Sequence, residues 1–409
     1  MKIYAVGGAV RDELLGHPVA DRDYVVVGAT PQEMTALGFR PVGRDFPVFL
    51  HPQTQEEYAL ARTERKSGSG YHGFTFHASP DVTLEQDLAR RDVTVNAMAR
   101  GDDGVLIDPF GGASDLRAGI LRHVSEAFAE DPLRVLRVAR FAARLGFDVA
   151  PQTEALMRRL VQSGELSTLG AERQWQEISR ALMEARPSRF FTELRRCGAL
   201  AVVLPELDAL FGVPQPVAHH PELDTGVHVL QAIDFSASVG DPLPVRYAVL
   251  VHDLGKSSTP RTDWPRHIAH ERASVRAAEV VSRRLRVPAD CSELAQLVAR
   301  HHGTVARALE LRAATLLDLL VAADALRRPE RLDALICACA ADVLSRPGRE
   351  GDAFVAGEWL QAAREVMRGV DAAAIARRHP GDPKLPRRIR DARIAALRAW
   401  KKSAPASPA

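Results

Sequence analysis

Cysteine is scarce in this chain: four occur among 409 residues, and no two of them have a CxxC spacing. That scarcity argues against a disulfide framework and predicts buried or free thiols in a reducing cytoplasm. Long apolar runs are also missing, since no stretch approaches the roughly 20 apolar residues of a membrane span. Arg11 and Asp12 interrupt the first apolar run too early for a signal peptide. These absences predict a cytoplasmic protein without a membrane segment.

An excess of charge of one sign is absent as well. The 54 basic and 52 acidic residues leave a formal net charge of +2. A near-neutral sum does not exclude nucleic acid as a partner, because binding depends on where the charge lies. Arginine strongly outnumbers lysine, and its guanidinium group makes bidentate contacts to phosphates and base edges. High genomic G+C content would produce the same bias.

The chain changes character near residue 125. Before it, "IYAVG", "YVVVG", "FPVFLHP" and "EEYALAR" are predicted strands, whereas "GAVRDELLG" and "PQEMTALG" are predicted short helices. After it, helical periodicity with Ala, Leu and Arg continues to the end. The sequence therefore predicts an α+β protein, with an α/β head over 1–125 followed by an all-helical body. Within that body we expect a neck over 126–205, a domain over 206–335 with its core at 228–329, and a tail over 336–409.

Two carboxylates, Asp21 and Asp23, open the apolar strand "YVVVG". Residues two apart on a strand project from the same face, so the two side chains are predicted to point together. Their repulsion is relieved by a divalent cation such as Mg²⁺, which takes one or two carboxylates together with water and phosphate oxygens. Gly7 and Gly8 would let a triphosphate approach a helix N-terminus, and Arg11 follows in the first turn. The pattern indicates metal-dependent nucleotidyl transfer; the alternative is a solvated strand cap.

Three ordered motifs carry a family resemblance over almost the whole chain. "GGAVRDELLGHPVADRDYVVVG" resembles the polymerase-β-like nucleotidyltransferase core of the class II tRNA nucleotidyltransferase (CCA-adding) and bacterial poly(A) polymerase superfamily. "RRDVTVNAMA" is similar to its ribose-recognition motif, which places Arg91, Asp92 and Asn96 at the matching positions. "EDPLRVLRVAR" resembles its EDxxR element, and the resemblance implies that Asp131 and Arg134 pair with the base of CTP or ATP.

The residue chemistry agrees with that implied role. A carboxylate accepts from the exocyclic amino group that cytosine and adenine carry, and Arg offers a fork of donors. Arg137 and Arg140 lie on the same helical face as Arg134 and are predicted to contact the nucleotide or its phosphates; the alternative is a solvated face. Glu57 is a candidate third carboxylate or else a surface charge.

A second constellation, of histidine and aspartate, lies in the helical body. "DTGVHVL", "VLVHDLGK" and "LLVAADAL" resemble the HD phosphohydrolase superfamily, and the resemblance implies four metal ligands: His228, His252, Asp253 and Asp324. The metal would be Ni²⁺ first, with Mn²⁺ or Co²⁺ as alternatives, because imidazole and carboxylate are ligands of first-row transition metals. His219 and His220 compete with His228 for the first position. His267 and His270 are either ligands or exposed, and His301 and His302 have no assigned role.

The resemblance implies addition of CCA to the tRNA 3′ end from CTP and ATP, with Mg²⁺ in the head and recognition of the acceptor arm by shape and phosphates. The HD domain would act as a 2′,3′-cyclic phosphodiesterase, 2′-nucleotidase and phosphatase. A poly(A) polymerase is the first alternative, and the intact "HDLGK" argues against it. A phosphohydrolase with a binding-only head is the second. The Ser/Gly-rich residues 67–70, within a predicted loop over 63–74, are expected to help the switch from CTP to ATP. We expect a monomer, with a homodimer as the alternative.

Overall fold

The computed structural model describes residues 1–19, 21–42, 48–66, 74–216, 224–349 and 351–403, with the side chains of 64–66 and 74–76 left aside. The chain divides into two compact units: Met1–Ala181 with Arg189–Val203, and Leu182–Ser188 with Leu204–Ala409. The predicted head and most of the predicted neck thus form one unit.

Among the residues that the structure describes, all the strands belong to the first unit. They are Lys2–Val6 (β1), Asp23–Val27 (β2), Arg40–Val42 (β3), Val48–Leu50 (β4), Glu57–Leu60 (β5), Arg62–Lys66 (β6), Phe74–Ala78 (β7), Ala99–Gly101 (β8), Leu106–Ile107 (β9), Ile120–Leu121 (β10) and Asp148–Val149 (β11). Its helices are Gly8–Leu14 (α1), Pro31–Ala36 (α2), Leu84–Ala89 (α3), Gly112–Ala118 (α4), Leu133–Leu145 (α5), Pro151–Gln162 (α6), most of Ala171–Leu182 (α7), most of Ser188–Arg196 (α8) and Leu200–Val203 (α9).

A seven-stranded mixed sheet organises this unit, with strand order β3-β4-β5-β2-β1-β8-β9. β2 pairs antiparallel with β1 and parallel with β5, and the other neighbours are antiparallel. In this register Asp23 lies opposite Val6 on one side and Glu57 on the other. The four predicted strands and two predicted short helices are present, which confirms the α/β head.

The strand "YVVVG" is uniformly apolar because both faces of β2 are buried. Val25 packs with Val6 and Leu88 on one face, and Val26 packs with Met34 and Phe49 on the other. A strand covered on both sides does not alternate apolar with polar residues. Burial on both faces also fixes the register, since a slip of one residue would move Asp23 into a core.

The second unit is helical. Its helices are Pro205–Asp208 (α10), Thr225–Ser238 (α11), Leu243–Val251 (α12), His270–Arg284 (α13), Ala289–Ala306 (α14), Ala313–Ala322 (α15), Pro329–Leu344 (α16), Val355–Arg368 (α17), Ala372–Arg378 (α18) and Leu385–Ser403 (α19). α11, α12, α14 and α16 pack against one another, and α13 packs on α14. The predicted all-helical body is therefore confirmed.

The predicted loop over 63–74 and two candidate histidines lie partly or wholly outside the residues that the structure describes. Residues 63–66 of the predicted loop belong to β6, which pairs antiparallel with β7, so the loop prediction is wrong for them. Residues 67–70, with their expected role in the CTP-to-ATP switch, lie outside the described residues, as do His219 and His220.

Candidate functional sites

The paired carboxylates lie at the beginning of β2. Asp23 is the first residue of the strand, whereas Asp21 precedes it and is exposed. Asp21 is therefore not part of the strand, so strand alternation does not determine which way its side chain points. The prediction that both aspartates lie on the strand is wrong. The two charges nevertheless interact: burial raises the pKa of Asp23, the charge of Arg91 opposes this, and Asp21 adds to the rise. Glu57, the register partner of Asp23 on β5, lies on the same face of the sheet.

Gly7 and Arg91 meet at the turn that leads from β1 into α1. Gly7 caps α1 with φ +71°, and a Cβ atom there would lie 2.8 Å from Nη1 of Arg91. Arg91 also donates to the backbone carbonyl of Asn96 at 3.4 Å and contacts Asp87 at 3.4 Å. Glycine is favoured at position 7 because a side chain rarely adopts this positive φ, and a Cβ atom there would also displace the end of the Arg91 side chain. Gly8 begins α1 immediately after it.

Arg11 is buried behind this turn rather than exposed. Only 2% of its surface is accessible; Nε donates to Oδ1 of Asp12 at 2.8 Å, and Nη1 donates to Oδ1 of Asn96 at 2.6 Å. Burial lowers the pKa of Arg11, and the neighbouring Asp12 opposes that change. The guanidinium group also lies over the ring of Phe141, 5.6 Å from its centroid. Arg11 is thus held by the protein before any nucleotide binds.

The ribose-motif residue Asp92 joins this network to α5. Its Oδ1 accepts from Asn96 at 3.1 Å, and its Oδ2 accepts from Nε of Arg137 at 2.7 Å. Burial raises the pKa of Asp92, but the charge of Arg137 and these hydrogen bonds outweigh it and lower that pKa to about 2. Asn96 bridges Arg11 and Asp92, so the first and second motifs form one hydrogen-bonded unit.

Three arginines on this face of α5, Arg137, Arg140 and Arg144, have carboxylate partners. Nε of Arg140 donates to Glu177 at 2.6 Å, and Arg144 contacts Asp12 at 3.0 Å. Arg140 also stacks on Phe141, 4.6 Å from the ring centroid. The opposite face of the helix is buried and apolar. Sequence reasoning missed Glu177; the only signal was an acid within an otherwise amphipathic helix, α7.

The two template candidates, Asp131 and Arg134, have different partners. Oδ2 of Asp131 accepts from Nη2 of Arg173 at 2.9 Å. Arg134 is buried, with 8% of the residue exposed, and its guanidinium group donates to the backbone carbonyls of Ala127 at 2.7 Å and Arg90 at 2.6 Å. The structure therefore does not present the two side chains as one pair. Arg173 was not predicted, because its approach to Asp131 depends on how α7 packs.

A buried cluster of imidazole and carboxylate groups lies in the helical unit. Two groups have ligand atoms close enough to hold a metal ion: one is His228, His252 and Asp342, and the other is His252, Asp253 and His302. Nε2 of His228 lies 3.0 Å from Oδ1 of Asp342, and Nε2 of His252 lies 3.2 Å from Oδ2 of Asp253.

Three histidines in and beside these two groups turn their Nε2 atoms toward the candidate metal site. His252, His270 and His302 each use Nδ1 for the backbone carbonyl of Val249, His267 and Val298, at 2.7, 2.9 and 3.1 Å respectively. In its neutral form, a ring that donates from Nδ1 has a lone pair on Nε2, the usual state of a metal ligand.

The ionisation states of the cluster also suit a cation. Burial lowers the pKa of His302 to about 4, so this ring is neutral near pH 7. Burial raises the pKa of Asp253, but the charges of His252 and Lys256 outweigh it and hold that pKa well below its usual range. Nε2 of His252 is buried and makes no hydrogen bond to any residue in the described part of the chain. A transition-metal ion fits this set of donors.

Asp324 does not reach the cluster, and its prediction as a ligand is corrected here. It follows α15 with φ +53° and pairs with Arg327 at 2.9 Å and Arg328 at 3.1 Å. The acid that the fold brings to His228 is Asp342 of α16. Both aspartates stand in Ala- and Leu-rich helical sequence, so the sequence pattern alone favoured neither.

Gly255 and Lys256 complete the wall of the cluster. A Cβ atom on Gly255 would lie 2.3 Å from the amide nitrogen of Ser274 and 2.5 Å from the carbonyl of His270, so glycine lets the start of α13 approach the "HDLGK" turn. Nζ of Lys256 contacts Asp253 Oδ2 at 2.7 Å and donates to Gln215.

Three further histidines of the helical unit differ in their surroundings. His270 belongs to the cluster, since its Nε2 lies 3.2 Å from Oδ1 of Asp253. His267 is buried and bound to the carbonyl of Pro214 and the hydroxyl of Thr259, both at 2.7 Å, which is a structural role. His301 is half-buried and lies outside the cluster.

Comparison with protein families matches three segments of the chain. Residues 3–122 match the poly A polymerase head domain, residues 146–211 match the probable RNA and SrmB-binding site of polymerase A, and residues 225–346 match the HD domain. No helix in the described part of the chain is both long and apolar enough to cross a membrane.

Whole-chain relatives are similar over nearly their full length. A multifunctional CCA protein of Chromobacterium violaceum is 59% identical over 97% of this chain and 98% of its own. That of Aromatoleum aromaticum is 59% identical over 98% of each.

Solved structures share the fold at lower identity. A CCA-adding enzyme in an apo form matches with a TM-score of 0.67 and 22% identity, over 97% of this chain and 88% of that one. The Bacillus stearothermophilus CCA-adding enzyme in complex with CTP has a TM-score of 0.63 and 23% identity, over 98% and 89%. The Thermotoga maritima CCA-adding enzyme complexed with tRNA has a TM-score of 0.64 and 21% identity, over 97% and 87%. With an α/β head, a helical body and relatives of this similarity, the chain belongs to the family of multifunctional CCA proteins.

Proposed function

We propose that the protein adds C, C and A to the 3′ end of tRNA, with CTP and ATP as substrates. The observation that carries the proposal is the joining of Arg11, Asn96, Asp92 and Arg137 into one hydrogen-bonded network, in a chain 59% identical to multifunctional CCA proteins. Three motifs far apart in sequence meet there, as one nucleotide site requires. A tRNA substrate would place the reaction in the cytoplasm.

The residues of the head have distinct parts in this reaction. Asp21 and Asp23 would hold Mg²⁺, which activates the attacking hydroxyl and neutralises the leaving pyrophosphate when it is bound. Glu57 lies beside them as a further carboxylate. Gly8 leaves room for the triphosphate, and Arg11, Arg91, Arg137 and Arg140 supply positive charge around it. Because carboxylates and Asn96 already orient these arginines, the site needs little rearrangement to receive a polyanion.

Base selection is assigned to Asp131, with Arg134 supporting the same turn. Asp131 can accept from the amino group of cytosine or adenine, as the sequence predicts. Arg134 makes two backbone contacts, so direct pairing with a base would require it to leave the carbonyls of Ala127 and Arg90. Asp131→Ala should weaken use of both CTP and ATP and relax rejection of UTP and GTP. Unchanged nucleotide preference in single-nucleotide competition would remove this assignment.

The test of the reaction is nucleotide addition to tRNA that lacks its 3′ CCA. The wild-type protein with Mg²⁺ should add CC from CTP alone and CCA from CTP with ATP. Asp23→Ala should fold, bind tRNA and add nothing, whereas Glu57→Gln should retain part of the activity if Glu57 is an accessory carboxylate. A long run of A from ATP alone would establish a poly(A) polymerase instead, and binding without extension would leave only a binding head.

We further propose that the helical unit is a metal-dependent phosphohydrolase acting on 2′,3′-cyclic phosphates, 2′-phosphates and phosphomonoesters. The cluster of His228, His252, Asp253 and Asp342 supports this, with Ni²⁺ as the first candidate and Mn²⁺ or Co²⁺ as alternatives. The metal would polarise a phosphate and activate a water. The double variant His252→Ala, Asp253→Ala should lose hydrolysis of 2′,3′-cyclic AMP while CCA addition stays near wild type. Normal hydrolysis by this variant would contradict the ligand assignment.

A further inference from the structure

Both oxygens of the Asp131 carboxylate have a partner in the protein. Oδ1 accepts from the backbone amide of Leu133 at 3.1 Å, and Oδ2 accepts from Nη2 of Arg173 at 2.9 Å. The first contact is a local turn, because the two residues are two apart in the sequence. The second joins the turn before α5 to the first turn of α7, 42 residues further along the chain. The direction of this carboxylate therefore depends on a side chain from another helix.

These contacts leave the carboxylate able to accept from a ligand. An ionised carboxylate has about four lone-pair sites on its two oxygens, and the contacts with Leu133 and Arg173 use one on each. The side chains of Asp131 and Arg173 are 21% and 27% exposed, so neither is sealed in the core. Arg173 thus orients the carboxylate without closing it to a further donor.

The backbone of α7 is fixed on both sides of Arg173. One turn further along, Glu177 is 2% exposed and accepts from Nε of Arg140 at 2.6 Å, which holds α7 against α5. At the start of the helix, Nε2 of Gln174 donates to the carbonyl of Leu169 at 2.8 Å. Residues four apart lie on the same helix face, so Arg173 and Glu177 contact neighbouring parts of the α5 region. Arg173 therefore extends toward Asp131 from a supported backbone.

Selection of a base by a carboxylate requires the acceptor to be held in one position. Cytosine and adenine present an amino group, whereas uracil and guanine present a carbonyl oxygen at the corresponding atom. An aligned carboxylate oxygen attracts the amino group and repels the carbonyl oxygen, and hydrogen bonds weaken steeply when their angle is lost. A carboxylate that is free to turn can move away from a mismatched base, and discrimination then falls.

We propose that Arg173 is a positioning residue for base selection, which holds the Asp131 carboxylate so that it accepts from CTP or ATP and rejects UTP and GTP. The inference rests on the proposed nucleotidyl transfer, in which Asp131 selects the base. Arg173 acts through Asp131 rather than on the nucleotide. Its loss should affect the choice between nucleotides more than the reaction of the correct one, because the amino group of a correct base can itself align the carboxylate.

The test measures kcat and KM for CTP and for UTP with the full-length protein, Mg²⁺ and tRNA that lacks its 3′ CCA. In Arg173→Ala, the ratio of kcat/KM for CTP to that for UTP should fall by about tenfold, while kcat/KM for CTP falls by a smaller factor. Arg173→Lys should retain most of the discrimination, because one N–H donor makes the contact. An unchanged ratio in Arg173→Ala would overturn the proposal, and so would an equal fall in kcat/KM for both nucleotides.

Comparison variants on the same helix distinguish positioning from general damage to α7. Arg180→Ala removes an exposed arginine of α7 and should leave nucleotide addition and the CTP-to-UTP ratio unchanged. Glu177→Gln removes the ion pair with Arg140 and should raise KM for CTP and UTP by the same factor. A shift of the ratio in Glu177→Gln as large as that in Arg173→Ala would overturn the proposal, since any disturbance of α7 would then be sufficient.

A double-mutant cycle links the effect to Asp131. If Arg173 acts through that carboxylate, Arg173→Ala should not change the CTP-to-UTP ratio further in a protein that already carries Asp131→Ala. Independent, additive effects of the two substitutions would contradict a positioning role.

Nucleotide binding separates this inference from the proposed reaction. Equilibrium dialysis with CTP and with UTP, without tRNA, gives the ratio of the two dissociation constants in the absence of turnover. If the wild type added no nucleotide to tRNA, the proposed reaction would fail, and this ratio alone would decide the role of Arg173. A preference for CTP that is smaller in Arg173→Ala than in the wild type would support positioning, and equal ratios in the two proteins would overturn it.

Discussion

Nε2 of His270 and Nε2 of His302 lie 3.2 Å apart, and Oδ1 of Asp253 lies 3.2 and 3.4 Å from the same two atoms. Both rings use their Nδ1 atoms for backbone carbonyls, so two nitrogen lone pairs and a carboxylate converge on one point. Such an arrangement is stable when a proton or a cation lies between the groups. His302, to which the sequence assigned no role, and His270, for which it left a ligand and an exposed residue as alternatives, thus become part of the candidate metal centre.

The first prediction concerns His302. Replacing His302 by Ala removes one inward-facing nitrogen, and the affinity for Ni²⁺ or Mn²⁺ should fall by about tenfold or more, as changes at metal sites commonly produce. Isothermal titration of the metal-free protein measures this, and elemental analysis after dialysis gives the number of ions bound. His301→Ala is the matched control, because its ring is adjacent in sequence but outside the cluster. Equal metal affinity in both variants would contradict the role of His302.

The second prediction separates the two aspartates. Asp342→Ala removes the carboxylate that His228 and Arg346 contact, both at 3.0 Å, and should abolish the rise in melting temperature that the metal gives the wild type. Asp324→Ala removes only surface ion pairs with Arg327 and Arg328 and should leave that rise intact. Thermal scans with and without Ni²⁺ on both variants provide the measurement. The reverse pattern would restore Asp324 as the ligand.

The third prediction concerns Arg134 as a structural residue. In Arg134→Ala, the half-buried carbonyls of Ala127 and Arg90 lose charged donors, and the free energy of unfolding should fall by about 1–3 kcal/mol in all, because water can replace part of the lost contacts. Urea denaturation of the variant and the wild type measures the loss. Arg173→Ala is the comparison, since it removes a partly exposed ion pair with Asp131 at 2.9 Å and should have a smaller effect on stability. Unchanged stability of Arg134→Ala would show that these two contacts contribute little.

The fourth prediction is a pH dependence set by Asp92. Its pKa of about 2 in the folded protein lies below the value of about 3.9 for an unfolded chain. A lowered carboxyl pKa stabilises the fold above the unfolded value, and that contribution disappears as pH falls from about 4 through 2. The loss should be of the order of 2–3 kcal/mol. Unfolding measured from pH 6 to pH 2 should show a steeper decline in the wild type than in Asp92→Asn, which has no charge to titrate. Parallel curves would be inconsistent with a charged Asp92–Arg137 pair that stabilises the fold.

The sequence by itself determined the order of the elements and the chemical type of each site. Local patterns were sufficient there: the apolar run of β2, the glycines that lead into α1 and the arginine face of α5 all depend on residues close together in the chain. "HDLGK" likewise fixes two adjacent candidate ligands, because His252 and Asp253 need no distant partner to be neighbours.

Only the tertiary structure decided which distant groups meet. Asp324 and Asp342 have similar local sequence, and the packing of α16 against α11 and α12 brings one of them to His228 while the other remains at the surface. Arg134 and Arg137 share a helix face, yet one contacts backbone carbonyls and the other contacts Asp92, 45 residues away. Partners so far apart are chosen by the position and angle of whole elements, which result from the burial of the entire core and leave no local signature in the sequence.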